Sequence, residues 1–134
     1  MAPRSDRLKR LVTLQRQIKA LHETRHATHL SHAASARQEA AELVEALNAA
    51  SPLPGLFPDL YNRRIGAAMG RETAAMAEAD IEAGRVATAT ARTNRVERAW
   101  RDAARIEERE AAEKETLENV ERGAVPGRKD DKAR

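Results

Sequence analysis

The sequence predicts an all-α chain, an antiparallel two-helix coiled-coil hairpin with unequal arms. Three observations carry this. After Pro3, neither glycine nor proline occurs until the chain has passed Ser51. Apolar residues recur at three- and four-residue steps. Charged residues make up 34% of the chain and aromatic residues 2%, a balance suited to long helices and not to a globule with a deep interior. Much of the apolar content is alanine, which favours helix but fills little core volume.

The first helix is predicted over 5–50, with Ser5 as its N-cap behind Pro3. Its uninterrupted stretch of about 45 residues corresponds to about 68 Å at the helical rise. The segment 51–58, Ser-Pro-Leu-Pro-Gly-Leu-Phe-Pro, concentrates prolines around a glycine and reads as a turn that excludes helix. Asp59 is then the N-cap of a second helix over 59–122, and Gly123 and Pro126 are its stop signals. Residues 1–122 form a single hairpin domain, and the charged tail 123–134 is expected to be disordered. The second helix outlasts the first by about 18 residues, an overhang of about 27 Å.

On helix one the stripe is read through Leu11, Leu14, Ile18 and Leu21, then through Ala36, Ala40, Leu43, Leu47 and Ala50. Joining these blocks takes one extra four-residue step near Arg25, His29 and His32, a stutter. On helix two the stripe runs Ile65, Met69, Met76, Ala79, Ala83 and Val86, with Glu72 interrupting it. It continues through Thr93, Val96, Trp100, Ala103, Ile106, Leu117 and Val120. These are coiled-coil steps with small knobs.

The absence of cysteine removes disulfide and thiolate chemistry. No apolar run is long enough to span a membrane. The basic N-terminus lacks the apolar stretch of a secretory signal, and its pattern continues smoothly into helix one, against a transit peptide. A net charge of +3 does not indicate a nucleic-acid partner. The charge is uneven, however. Arg4, Arg7, Lys9, Arg10, Arg16 and Lys19 stand against Asp6 alone, whereas Glu107–Glu121 is mainly acidic.

All four histidines fall in His22-Glu-Thr-Arg-His26-Ala-Thr-His29-Leu-Ser-His32. The first five residues fit H-E-x-x-H, in which two histidines a turn apart hold zinc and the glutamate, here Glu23, is general base. In the longer form of the motif a glycine turns the chain so that a third histidine returns to the metal, and His29 occupies that position here. No strand or walled cleft is predicted beside it. A zinc-dependent peptidase is thus the weakest alternative, with His22 and His26 as its only metal candidates. The favoured reading has no catalytic residue and no cofactor, and treats the histidines as a polar stretch where the seam shifts.

Gly66-Ala-Ala-Met-Gly70 fits G-x-x-x-G, but Arg63, Arg64, Arg71 and Glu72 flank it and preclude burial in lipid. It reads as two helix-weakening glycines, with close approach of helix one as the alternative. Leu53, Leu56, Phe57, Leu60 and Tyr61 gather at the turn. They read first as a plug for the bundle end, and second as an exposed anchor for a partner.

Arg7–Ile18, which reads R-L-x-R-L-V-x-L-Q-x-Q-I, and Ala99–Glu107, which reads A-W-R-D-A-A-R-I-E, with the long helix and short loop between them, resemble the FliJ/YscO family. These are cytosolic coiled-coil components of flagellar and type III protein-export machines. The resemblance covers nearly the whole chain and implies a non-enzymatic stalk or chaperone-like adaptor. It would associate with the hexameric export ATPase, the export gate and export chaperones, and meet the inner membrane face only peripherally through that machine. By location and residue type, the resemblance implies a partner-binding region near the loop: Leu43 and Leu47, then Leu60, Tyr61, Ile65 and Met69, with Phe57 at the tip. The alternative is a structural hairpin that self-associates or binds a helical partner.

Overall fold

A computed structural model describes residues 2–49 and 52–124, and these are almost entirely helical. Helix α1 spans Arg4–Asn48, a short α2 spans Pro52–Leu56, and α3 spans Pro58–Ala124. No strand forms among the described residues. No described helix is long and apolar enough to cross a membrane. The expectation of a disordered tail falls mostly on 125–134, outside the described residues, while Gly123 and Ala124 still belong to α3.

The helix ends differ from the predicted caps. Pro3 O accepts the first intrahelical bond from Arg7 N–H at 3.2 Å, so α1 begins two residues earlier than Ser5 as N-cap would allow. Phe57 O likewise accepts from Tyr61 N–H at 3.3 Å, which places Pro58 at the first helical position, where its missing N–H costs nothing. Asp59 therefore lies inside the first turn, where a carboxylate still favours the positive helix end. The turn itself contains a helix, contrary to the sequence reading. Pro52 and Pro54 sit in the first turn of α2, where no intrahelical N–H is required, and Phe57 N–H closes onto Leu53 O at 3.1 Å.

Contacts gather the chain into two compact units where the sequence predicts one hairpin domain. The larger comprises Gln15–Arg92, and the other joins the start of α1, to Leu14, with the chain from Thr93 onward. Within Gln15–Arg92, α1 and α3 run antiparallel, because His22 meets Glu82 while the later Glu39 meets the earlier Arg71.

Buried and half-buried positions in this unit form one unbroken pattern. On α1 the run is Gln15, Lys19, His22, His26, His29, Ala33, Ala36, Ala40, Leu43 and Leu47, in strict alternation of four and three, with Ile18, Glu39 and Ala46 half-buried beside it. On α3, Tyr61, Ile65, Ala68, Glu72, Ala75, Ala79, Glu82, Val86 and Ala89 keep the same alternation. A 3.5-residue repeat of this kind holds one face toward a neighbouring helix. In the smaller unit the same steps appear at Ser5, Leu8 and Val12, and at Thr93, Val96, Trp100, Ala103 and Glu107.

The predicted stutter is absent, and the leucine stripe of helix one is a correction. Leu11, Leu14 and Leu21 are exposed, and only Ile18 is half covered. Stepping back from Leu47, Leu43, Ala40 and Ala36 without a phase change leads through the histidines and misses the leucines by one position. On α3, Met69, Met76, Ala83 and Ile106 are exposed for the same reason, Leu117 and Val120 lie in a stretch that is exposed on every side, and Glu72 is a half-buried member of the stripe.

Candidate functional site

The histidine stretch is the most chemically distinctive part of the molecule, and its geometry follows from the repeat. His22, His26 and His29 stand at three successive seam steps and are half-buried, whereas His32, three residues beyond His29, is exposed. The rings of His29 and His32 meet edge to face at 6.4 Å. Across the seam, Glu82 is only 3% exposed, and its carboxylate lies 2.8 Å from His22 Nδ1. Arg85, one turn on, donates to the other carboxylate oxygen at 2.7 Å.

These contacts explain how a charged group survives at a seam position. Burial pushes the Glu82 carboxyl up, but the hydrogen bonds from His22 and Arg85, together with the Arg85 and His22 charges, overcome it and hold the pKa below the ordinary value. Glu107 is held low in another way. Its carboxylate accepts the Ser5 hydroxyl and the Ser5 backbone N–H, the latter at 3.0 Å, and these bonds outweigh its partial burial. A side chain of α3 thus caps an orphan donor in the first turn of α1.

The H-E-x-x-H residues have other neighbours. His22 is engaged by Glu82, and Glu23 is exposed and lies 3.9 Å from Lys19. Among the described residues, no group of three or more His, Asp or Glu side chains could hold a metal ion. His29 and His32 instead line a groove with Ser35, Ala36, Ala74 and Glu78, and the groove ends at an exposed ion pair between Glu39 and Arg71.

The residues assigned near the loop divide between seam and surface. Leu43 is buried and Leu47, Tyr61 and Ile65 are half-buried, so they belong to the helix seam. Phe57, Leu60 and Met69 are exposed. The tip is open, contrary to the predicted plug: Phe57 is 55% exposed, Leu53 and Leu56 also face outward, and among the described residues of 51–58 only Pro54 is buried. The short α2 causes this, because it directs the proline inward and the larger side chains outward. Glycines 66, 70 and 84 meet nothing within 4 Å of where a Cβ would stand, so no close approach of helices requires them.

Sequence reasoning missed Glu82 altogether. Its signal was present: stepping three and then four residues from Ala79 reaches Glu82 and Val86. No protein-family model, curated protein or solved structure matches the chain.

Proposed function

We propose that the chain is a coiled-coil hairpin with unequal arms, a non-enzymatic stalk or adaptor that works by presenting helix faces and a tip to protein partners. The observation that carries this is the unbroken alternation of four and three among covered residues on both long helices. The most specific form of the reading is a component of a flagellar or type III export apparatus, bound to its ATPase, gate and chaperones. The 67-residue α3 beside the 45-residue α1 supports it, as does a tip whose apolar side chains face water. An exposed apolar cluster of this kind favours a protein contact.

Co-purification of the full chain with the hexameric export ATPase tests the export assignment. Retention of the chain on the immobilised ATPase, weakened by Phe57→Ser with Leu60→Ser, is the expected outcome. Failure to bind under low and moderate salt sinks the export assignment while leaving the helical adaptor reading in place. The general adaptor reading is favoured separately by the outward Leu11 and Leu14, which no described residue covers fully.

A further inference from the structure

The end of α3 is uncovered. Every residue from Glu108 to Gly123 is exposed, including Leu117 at 60% and Val120 at 61%. Ile106, Glu110, Glu113, Leu117 and Val120 follow one another at steps of four, three, four and three. They form a single stripe with an acidic middle and an apolar end.

The first turns of α1 carry a stripe of the same pitch. Arg4, Arg7, Leu11 and Leu14 stand at steps of three, four and three, and all are exposed, Leu14 by 50%. In parallel alignment the two stripes agree at every position. Arg4 falls beside Glu110, Arg7 beside Glu113, Leu11 beside Leu117 and Leu14 beside Val120. Opposite charges meet opposite charges, and apolar meets apolar. The antiparallel alignment that pairs the same leucines with Leu117 and Val120 carries Arg7 to the last residue of α3 and Arg4 past it, and sets Glu110 and Glu113 against Leu21 and Ile18. The wider charge balance agrees with the parallel register. Arg4–Arg10 has four bases and one acid, while Glu107–Arg122 has seven acids and three bases.

One chain cannot make this pairing by itself. Ser5 is already held at Glu107, and Leu11 and Leu14 remain exposed in that arrangement. We infer that the end of α3 is a docking strip for the first turns of α1 of a second copy of this chain, in parallel register. Each copy carries both stripes, so a two-fold pair uses each of them twice. The pairing does not depend on the export assignment.

The chain has no cysteine, so single cysteines report on the register cleanly. Full-length Leu11→Cys mixed with full-length Leu117→Cys under mild oxidation should give disulfide-linked dimers several-fold faster than Leu11→Cys mixed with Val120→Cys. The reverse preference overturns the parallel register. In sedimentation velocity, Arg4→Glu with Arg7→Glu should weaken self-association by at least about tenfold, because attraction becomes like-charge repulsion. Adding Glu110→Arg and Glu113→Arg to the same chain should restore it. A compensated variant that stays as weak as the first, or a wild-type chain that remains monomeric at the cross-linking concentration, refutes the docking strip.

Discussion

Ala33, Ala36 and Ala40 on α1, with Ala68 and Ala79 on α3, are buried seam residues that offer almost no side-chain volume. His22, His26 and His29 take the preceding steps on the same stripe of α1, and Glu82 takes the next step after Ala79 on α3. The two stretches share one repeat and one antiparallel pair of helices, yet they satisfy the seam by different physics. Alanine has no polar group to desolvate and little side-chain entropy to lose, so it is inexpensive to bury and gains little from dispersion. The histidine stretch buries polar atoms, and these persist because each oxygen of Glu82 has a donor. What a heptad position requires, the comparison indicates, is a group whose burial is compensated, and apolar character is only the commonest way to meet that requirement.

The largest effect should come from a charge placed in the alanine stretch. Ala68 is 0% exposed. Ala68→Asp should cost about 3–5 kcal/mol, the range for an uncompensated buried charge. Helical circular dichroism followed through urea unfolding measures it. A loss below about 1 kcal/mol would mean that the seam opens to water at no cost, and the contrast between the stretches would lose its basis.

The outward glycines vary backbone propensity while leaving the seam untouched. Gly66 and Gly70 are outward positions near the alanine stretch, and Gly84 is an outward position two residues from Glu82. Each is helical with open space at its Cβ and no positive φ, so alanine fits without strain. Each substitution to alanine should stabilise by about 1 kcal/mol, through reduced unfolded-chain entropy. Equal gains at 70 and 84, read from urea midpoints at constant m-value, would show that the two stretches differ in seam chemistry alone. A gain confined to one of them would place the difference in the backbone.

The helices and their near boundaries were legible because proline and glycine act locally: Pro3, Pro58 and the long intervals free of both residues mark the element ends to within a few residues. The seam was less legible. Leucine is the strongest burial signal in a sequence, and following Leu11, Leu14 and Leu21 selects a stripe one position away from the one that packs. The packed stripe is visible only when phase continuity over the whole helix is weighted above hydrophobicity, since it passes through His22, His26 and Lys19. The role of Glu82 depended on a partner 60 residues away in sequence, which no local pattern encodes. The tip is obscured for a related reason: the prolines of 51–58 signal a helix break, whereas Pro52 and Pro54 occupy the helical turn that tolerates them.

The subtlest test concerns the ionisation of Glu82. Its carboxyl pKa is lowered in the folded chain, so the stability it contributes is fully present above the ordinary carboxylate pKa of about 4.3 and is lost as the pH falls through the lowered folded value. Wild-type protein should therefore melt at a higher temperature than Glu82→Gln near neutral pH, and the gap should narrow as the pH falls below the ordinary carboxylate pKa of about 4.3 and the carboxylate is protonated. Glu107 is lowered as well, and it contributes the same acid limb to both proteins, so it cancels in the difference. Pairing His22→Leu with Glu82→Leu completes the comparison by converting the polar stretch toward the chemistry of its neighbour. Replacing a hydrogen-bonded buried pair with apolar side chains is commonly neutral or stabilising, so the double variant should melt at or above wild type and show a flatter acid limb. A double variant that melts well below wild type at every pH would assign the His22–Glu82 contact a packing role that its charges do not explain, and the distinction drawn between the two stretches would then rest on shape.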